Sequence, residues 1–318
     1  MPTARTAARP ARAGGGGAAR RSPARGGRVP ARRKPPARRP ARKSRSRGRR
    51  KAGRQIARWW PALVVTAVVL VALAWDTEST GVPGVPGQCT VAGSSLTLTT
   101  AQASSAATIA AVGRARGLPD RAVVLALATA QQESRLRNLD YGDRDSLGLF
   151  QQRPSQGWGS EAQVQDPVYA AGIFYDRLVQ VPGWGTGRLT EVAQAVQRSG
   201  FPEAYQQWEP LATELTAVLG PAGPSRLDCR YEPSAPVPAA DVSAVAAAEL
   251  GVAAMPRAGG AVFVDPAGGW AAATWAVAQA ARLQLTEVEF DGRRWTLDTG
   301  WVEAPEIGAD AVVLRPAG

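Results

Sequence analysis

A charge-free apolar run at residues 59–75 divides the chain into a basic tail and an acidic remainder. The run reads WWPALVVTAVVLVALAW, and its 17 residues are near the lower limit for a helix that crosses a membrane. Tryptophan lies at both ends, as is common at membrane interfaces, and Lys and Arg flank only the N-terminal side. We therefore expect a single-pass protein of the cell membrane, with residues 1–58 cytoplasmic and 76–318 extracellular.

A cleaved signal peptide and a buried helix are the two alternatives to a membrane anchor. Ala72-Leu73-Ala74 is similar to a signal-peptidase site, but a basic segment of 58 residues is far longer than an ordinary signal n-region. A buried helix of a folded domain is the other alternative, and the one-sided charge argues against it. The uncleaved anchor is the better interpretation.

The tail, residues 1–58, has 21 of the 38 Lys and Arg residues and no Asp or Glu, so the remainder has 17 basic and 26 acidic residues and a net charge of −9. Its Arg, Ala, Pro and Gly content without apolar periodicity predicts disorder. It has no aromatic residue on which a base could stack. We expect contact with anionic lipid rather than with nucleic acid.

The two cysteines, Cys89 and Cys229, both follow the predicted membrane span. Disulfides form and persist outside the cytoplasm, so a bridge between them is the favoured interpretation, with two unpaired thiols as the alternative. Such a bridge would close a loop of about 140 residues, and the chain-entropy model gives that closure about 5 kcal/mol.

The outer part divides by composition into a stalk at 76–97, a helical region at 98–222, a linker at 223–240 and a small α+β domain of unknown role at 241–318. Apolar periodicity and capping residues predict helices at 101–116, from Pro119-Asp120 onward, from Asp166-Pro167 onward, at 188–199, at 202–219 and at 270–283. Alternating residues around Asp291-Gly292 predict a β-hairpin, and 312–315 a further strand.

The chain contains no histidine. This excludes Ser-His-Asp and Cys-His catalysis and any imidazole metal site, so no metal or cofactor is expected. Glycoside cleavage is a large reaction class that uses carboxylates alone. Asp and Glu are therefore the candidate catalytic residues.

Glu133 is the leading candidate, because it ends the apolar stretch AVVLALATAQQE. Apolar surroundings and the negative end of a helix dipole both disfavour a carboxylate. A raised pKa would keep Glu133 protonated at neutral pH, as a general acid requires. In the loop that follows, Gly148 would let the backbone pass close to a ligand, and Gln151 offers a donor and an acceptor.

The pair Glu133-Ser134, followed by Gly148-Leu-Phe150-Gln151 and Pro154, resembles the goose-type lysozyme and soluble lytic transglycosylase family. That family has a Glu-Ser pair, then Gly-Leu-Met-Gln and a Pro. The resemblance covers about residues 100–220 and implies that Glu133 is the catalytic acid. It also implies that the glycan groove is lined by Ser134, Ser146, Gly148, Phe150 and Gln151.

One motif departs from the family. The later Ala-Tyr-Asn-Ala-Gly of the family is matched only by Ala195-Val196-Gln197-Arg198-Ser199-Gly200. The aromatic hydroxyl is lost and Gln197 stands in for Asn. Gln197 remains a candidate contact for an acetamido group.

The loop Asp140-Tyr-Gly-Asp143-Arg-Asp145 offers a possible second carboxylate, Asp145, which would make the protein a hydrolase. Calcium binding is an alternative, but EF-hand spacing fails from either Asp140 or Asp143. Ion pairing with neighbouring arginines is the commonest role for such a loop.

Five aromatic residues are candidates for stacking on a sugar ring: Tyr169, Tyr175, Trp184, Tyr205 and Trp158. Trp158 is favoured, because it lies in a Gly-rich loop. Trp270, Trp275, Trp295 and Trp301 are expected to form a small C-terminal core.

The expected fold is mainly α, with a lysozyme-like helical domain outside one transmembrane helix and a small α+β domain after it. The resemblance implies a membrane-anchored lytic transglycosylase that cleaves the β-1,4 bond between N-acetylmuramic acid and N-acetylglucosamine in peptidoglycan. The alternatives are a non-catalytic module that binds glycan or a partner, and a structural tether between the tail's partners and the wall.

Overall fold

A computed structural model describes residues 87–317. Within that range the chain forms eight α-helices and two antiparallel sheets, so the fold is mixed α/β and the prediction of a mainly α protein is wrong. The error has a physical source, since most of the strands have only three or four residues. Strands that short show too little alternation to be recognised in a sequence.

Five of the six predicted helices agree closely with the structure, the one predicted at 202–219 begins only at Glu209, and the helices Glu161–Gln165 and Ala239–Leu250 are absent from the prediction. The bounds of the helices are α1 Thr100–Ala115, α2 Asp120–Ser134, α3 Glu161–Gln165, α4 Pro167–Leu178, α5 Leu189–Gln197, α6 Glu209–Val218, α7 Ala239–Leu250 and α8 Gly269–Leu283. Side chains that cap the first free backbone amides determine where two of these helices begin. Thr99 caps α1 through a reciprocal capping box with Gln102, and Asp166 Oδ1 accepts from the amide of Val168 at 2.8 Å.

A three-stranded sheet joins the two ends of the helical region. Its strands are β1 Gln88–Val91, β2 Thr97–Thr99 and β3 Leu227–Arg230, in the order β2-β1-β3. Cys89 and Cys229 lie directly opposite each other in β1 and β3, and their disulfide confirms the predicted pair. Strands β1 and β3 thus occupy segments that composition assigned to a stalk and a linker.

The second sheet has six strands in the order β4-β5-β9-β6-β7-β8. Their bounds are β4 Ala254–Pro256, β5 Val262–Val264, β6 Leu285–Phe290, β7 Arg293–Thr296, β8 Gly300–Glu303 and β9 Val312–Pro316. The predicted hairpin is confirmed, with Asp291 and Gly292 both at positive φ between β6 and β7. Trp270 contacts Trp301 at a centroid distance of 5.5 Å beside this sheet.

Helices α1 and α8 pack along each other, and a buried polar cluster reinforces this contact. Glu249 of α7 is 1% exposed and accepts hydrogen bonds from Thr108 of α1 and from Trp275 and Gln279 of α8. Arg282 pairs with its other oxygen at 2.5 Å. The helical region and the C-terminal sheet therefore share one interior.

Among residues 87–317, no helix is both long enough and apolar enough to cross a bilayer. The predicted membrane span at 59–75 and the predicted disordered tail at 1–58 lie outside the described residues.

Candidate functional site

Glu133 lies in the last turn of α2, where the helix ends against a short 3₁₀ turn at Gln206–Trp208. Its Oε1 accepts a hydrogen bond of 2.5 Å from the hydroxyl of Tyr205, a side chain with no exposed surface. The preceding residue, Gln132, accepts from the indole of Trp208 at 2.7 Å. The carboxyl group of Glu133 is thus held in one orientation while remaining only half-buried.

The pKa of Glu133 is raised above its ordinary value, as the sequence predicts. Burial is the main cause, because it penalises the charged carboxylate. Hydrogen bonds from Tyr205 and Gln197 act in the opposite direction and reduce the rise. Compared with an ordinary glutamate, the protonated form of Glu133 is thus stabilised, and two polar neighbours orient the carboxyl group.

Gln197, at the end of α5, connects three parts of the site. Its amide nitrogen donates to the carbonyl oxygen of Phe150 at 2.7 Å, and its side chain also hydrogen-bonds to Glu133. Its amide oxygen is buried and has no protein partner among the described residues. A buried acceptor without a partner is uncommon, and here it lies beside the candidate acid.

Ser134 ties the loop after α2 to the helix. Its buried hydroxyl donates to the carbonyl oxygen of Leu149 at 2.7 Å and to that of Ala130 at 3.0 Å. The Gly-Leu-Phe-Gln segment is therefore held directly against the turn that carries Glu133. These contacts make Ser134 a positioning residue rather than a surface that a ligand can reach.

Gly148 allows a close approach of backbone to backbone. Its φ is 76°, and a Cβ at this position would lie 2.2 Å from the carbonyl oxygen of Val164. The close neighbour is thus α3 of the same chain, whereas the sequence interpretation placed a ligand there. Leu147 and Gln152 pair on either side of Gly148 as an isolated bridge, which closes the turn.

Gln151 and Ser146 fix the rest of the loop. The amide nitrogen of Gln151 donates to the carbonyl oxygens of Tyr141 and Gly148, at 3.2 and 3.3 Å. Ser146 is buried, and its backbone amide donates to Asp143 at 3.1 Å. Both residues are engaged mainly with the loop itself.

Phe150 has no exposed surface and stacks on Phe174 of α4 at a centroid distance of 4.6 Å. Its side chain therefore belongs to the core, and its contribution to the site is the carbonyl oxygen that holds Gln197. The resemblance implied a groove-lining side chain at this position, and the structure does not place it on a groove.

Asp145 is engaged by the segment that follows the loop. Its carboxylate accepts from the backbone amide of Ser155 at 2.8 Å and from Arg153 at 2.7 Å. Hydrogen bonds from the hydroxyl and amide of Ser155, followed by that of Arg153, hold its pKa well below the usual range. The carboxylate is held in these contacts, with Arg153 as its ionic partner.

Gln197 also lines a pocket of about 680 Å³. Trp158 forms part of its wall and is 4% exposed, with the guanidinium of Arg177 stacked over its ring at 3.5 Å. Arg198, which follows α5, also lines this pocket. Glu133 is not among the lining residues, so Gln197 is the link between the candidate acid and the pocket.

The role of Tyr205 is absent from the sequence interpretation, which considered this residue only for sugar stacking. Tyr205 and Glu133 are 72 residues apart, and no local pattern marks the contact. The hydroxyl that orients Glu133 thus comes from a turn distant in sequence. Tyr175, another stacking candidate, is buried and donates to the carbonyl oxygen of Ile109 at 2.9 Å.

No protein-family model matches this chain, and no curated protein is significantly similar to it.

Proposed function

We propose that the protein cleaves peptidoglycan glycan strands as a lytic transglycosylase, with Glu133 as its only catalytic acid and base. The observation that carries the proposal is the environment of Glu133, which is half-buried, has a raised pKa and is oriented by Tyr205. A protonated carboxyl group at neutral pH is the requirement of glycosidic oxygen protonation. The motif resemblance to the soluble lytic transglycosylase family supports the same assignment.

In the proposed reaction, Glu133 protonates the glycosidic oxygen as the bond from C1 of the muramyl sugar breaks. The resulting carboxylate then takes the proton of the muramyl 6-hydroxyl, whose oxygen bonds to C1 and gives the 1,6-anhydro product. Tyr205 donates to Oε1 and Gln197 also hydrogen-bonds to the carboxyl group, so these two neighbours would orient Glu133 for the proton transfer. Gln197 would support the acid from behind, because its side chain holds both the carbonyl oxygen of Phe150 and the carboxyl group of Glu133.

Transglycosylation is favoured over hydrolysis by the position of Asp145. A hydrolase of the inverting type needs a second carboxylate that is free to activate water. Asp145 instead has both of its oxygens in hydrogen bonds to Arg153 and Ser155. The intramolecular 6-hydroxyl nucleophile requires no such base besides Glu133.

We place this activity at the outer face of the cell membrane, with the span at 59–75 as an anchor and the basic tail near anionic lipid. The Cys89–Cys229 disulfide supports an oxidising compartment for the folded part. Positive residues on only one side of the apolar run support the orientation.

The test is mass spectrometry of purified peptidoglycan treated with the full-length protein. Anhydro-muramyl products are expected. Products with a reducing end would mean hydrolysis and overturn the transglycosylase assignment. Binding of glycan without any released fragment would replace the enzyme with the alternative, a non-catalytic binding module.

A further inference from the structure

The pocket beside Gln197 carries two arginine side chains close to one another. Arg177 lies at the end of α4 and is half-buried over Trp158, while Arg198 follows the last residue of α5 and is exposed. Both line the same pocket. Burial lowers the pKa of Arg177, and the charge of Arg198 lowers it further, which shows that the two cations repel each other.

No carboxylate of the described residues neutralises this pair. Asp176, next to Arg177 in sequence, pairs with Arg116 at 2.5 Å, and Asp166 caps the start of α4 by accepting from the amide of Val168 at 2.8 Å. Glu191 and Glu203 both pair with Arg188, at the opposite end of α5. Two cations that share a concave surface without a counter-ion form a local positive potential that an anion would relieve.

The donors of Arg177 are oriented in advance. Its Nη2 donates to the carbonyl oxygen of Gly157 at 2.6 Å, and stacking on Trp158 restrains the plane of the guanidinium. A guanidinium has five N–H groups, so donors remain for a ligand. A restrained, planar fork suits a carboxylate, which it can bind through two parallel hydrogen bonds.

We infer that this pocket binds a carboxylate of the peptide that branches from the muramyl sugar, and so selects glycan that carries an acidic peptide. The inference rests on the proposed function, because Gln197 places the pocket next to the sugar held at Glu133. In glycan that carries peptides, the muramyl lactyl carboxyl group is used up in the amide bond, so the free carboxylates that a guanidinium pair can bind are those of the peptide. The ligand is therefore an acidic peptidyl glycan.

The experiment measures affinity in the full-length protein carrying Glu133→Gln, so that ligands are not cleaved. Three probes are compared: a disaccharide peptide with free carboxylates, the same compound with every carboxylate amidated, and the peptide-free disaccharide. The free acid is expected to bind about tenfold more tightly than the amide, as one charge-assisted hydrogen-bonding contact would give. The advantage should shrink as salt concentration rises.

Arg177→Gln and Arg198→Gln, each added to that background, should bring the affinity ratio of acid to amide close to one. Arg177 also covers Trp158, so its loss removes packing, whereas exposed Arg198 provides a variant whose folding is not in question. Arg188→Gln removes one positive charge from the other end of α5 and should leave the ratio unchanged.

The inference would be overturned if the acid and amide probes bound equally to the protein with both arginines present. It would also be overturned if neither arginine variant changed the affinity ratio of acid to amide. Cleavage of peptide-free glycan by the wild-type protein is measured in parallel. If the acid and amide probes bind equally while the wild-type protein still cleaves peptide-free glycan, only the carboxylate pocket is refuted. A clear ratio without any cleavage would refute the enzyme and keep the pocket as part of a binding module.

Discussion

At the scale of single residues, Glu133 shows how a fold sets the chemistry of a carboxyl group. Burial raises its pKa, while the hydroxyl of Tyr205 and the amide of Gln197 stabilise the charged form and limit the rise. The opposing effects suit a group that must both give and take a proton in one reaction. Tyr205 also restrains the orientation of the carboxyl group through its hydrogen bond to Oε1.

Tyr205→Phe should raise the pKa of Glu133 further, because it removes a hydrogen bond that favours the carboxylate. In the proposed reaction the protonated form of Glu133 acts first, so the alkaline limb of the profile of kcat/KM against pH should move to higher pH. The rate at the optimum should fall, because Glu133 loses its orientation. Tyr175→Phe, which removes a buried hydroxyl elsewhere, should leave the limb in place. A limb that shifts to lower pH would contradict the assignment of Tyr205.

Glu133→Gln should increase the resistance of the protein to heat at neutral pH. The folded pKa of Glu133 is raised above 4.5, so the fold favours the protonated group. Its contribution to stability is complete below about pH 4.5 and is lost as pH rises through the folded pKa. The melting temperature of the variant should therefore exceed that of the wild type at pH 7, and the two should converge near pH 4.

The control for this measurement is Glu303→Gln, at a side chain that is 84% exposed. Its melting temperature should follow that of the wild type at both pH values. If Glu133→Gln proved less stable than the wild type at pH 7, burial would not be the dominant influence on Glu133.

At the scale of elements, the site depends on a loop that is packed against three helices. Ser134 joins it to α2, Gly148 passes the backbone of α3, and Phe150 packs on α4. The sequence motif is thus largely a set of packing requirements that hold the loop beside Glu133. Most side chains of the motif are therefore buried in contacts within the chain, and they act on Glu133 by holding the loop in place.

Gly148→Ala should destabilise the protein through its backbone. Alanine at a φ of 76° costs about 1 kcal/mol, and the collision with the carbonyl oxygen of Val164 adds about 1–3 kcal/mol. Gly157→Ala is a matched control, because it has a φ of 73° and open space around the new Cβ. Denaturant unfolding should show a clearly larger loss for Gly148→Ala. Equal losses would mean that the contact with Val164 is unimportant.

The helices were predictable from the sequence because caps and apolar periodicity are local. Asp166 and Pro167 mark the start of α4 as the structure has it, and Asp291-Gly292 marks the hairpin. Strands β1 and β3 were not predictable, since their pairing spans the 140 residues between the cysteines. Tyr205 was missed as a partner of Glu133 for the same reason, because a contact across the fold leaves no local pattern.

At the scale of the whole molecule, the helical region and the C-terminal sheet share buried contacts. The cluster around Glu249 connects α1, α7 and α8, and Asp228 of β3 accepts from the indole of Trp295 in β7 at 2.8 Å. The disulfide joins the strands that flank the helical region. These connections predict that residues 87–317 unfold in a single cooperative transition.

Glu249→Ala should lower the free energy of unfolding by about 3 kcal/mol. It leaves the buried donors of Trp275 and Gln279 without their acceptor and removes the partner of Arg282. Circular dichroism and tryptophan fluorescence should report one shared, lowered transition in urea. Two separate transitions in the wild type would show that the two regions fold independently. Glu303→Ala, at the exposed end of β8, should change stability by less than about 0.5 kcal/mol.

The most direct test of Glu133 as the catalytic acid is the rate at which peptidoglycan fragments are released by the wild-type protein and by Glu133→Gln. We expect the variant to be slower by about 10³-fold, as the loss of a general acid would cause, while its melting temperature is not reduced. A variant that releases fragments at the wild-type rate would contradict the account, since a neutral amide cannot transfer the proton that the reaction requires.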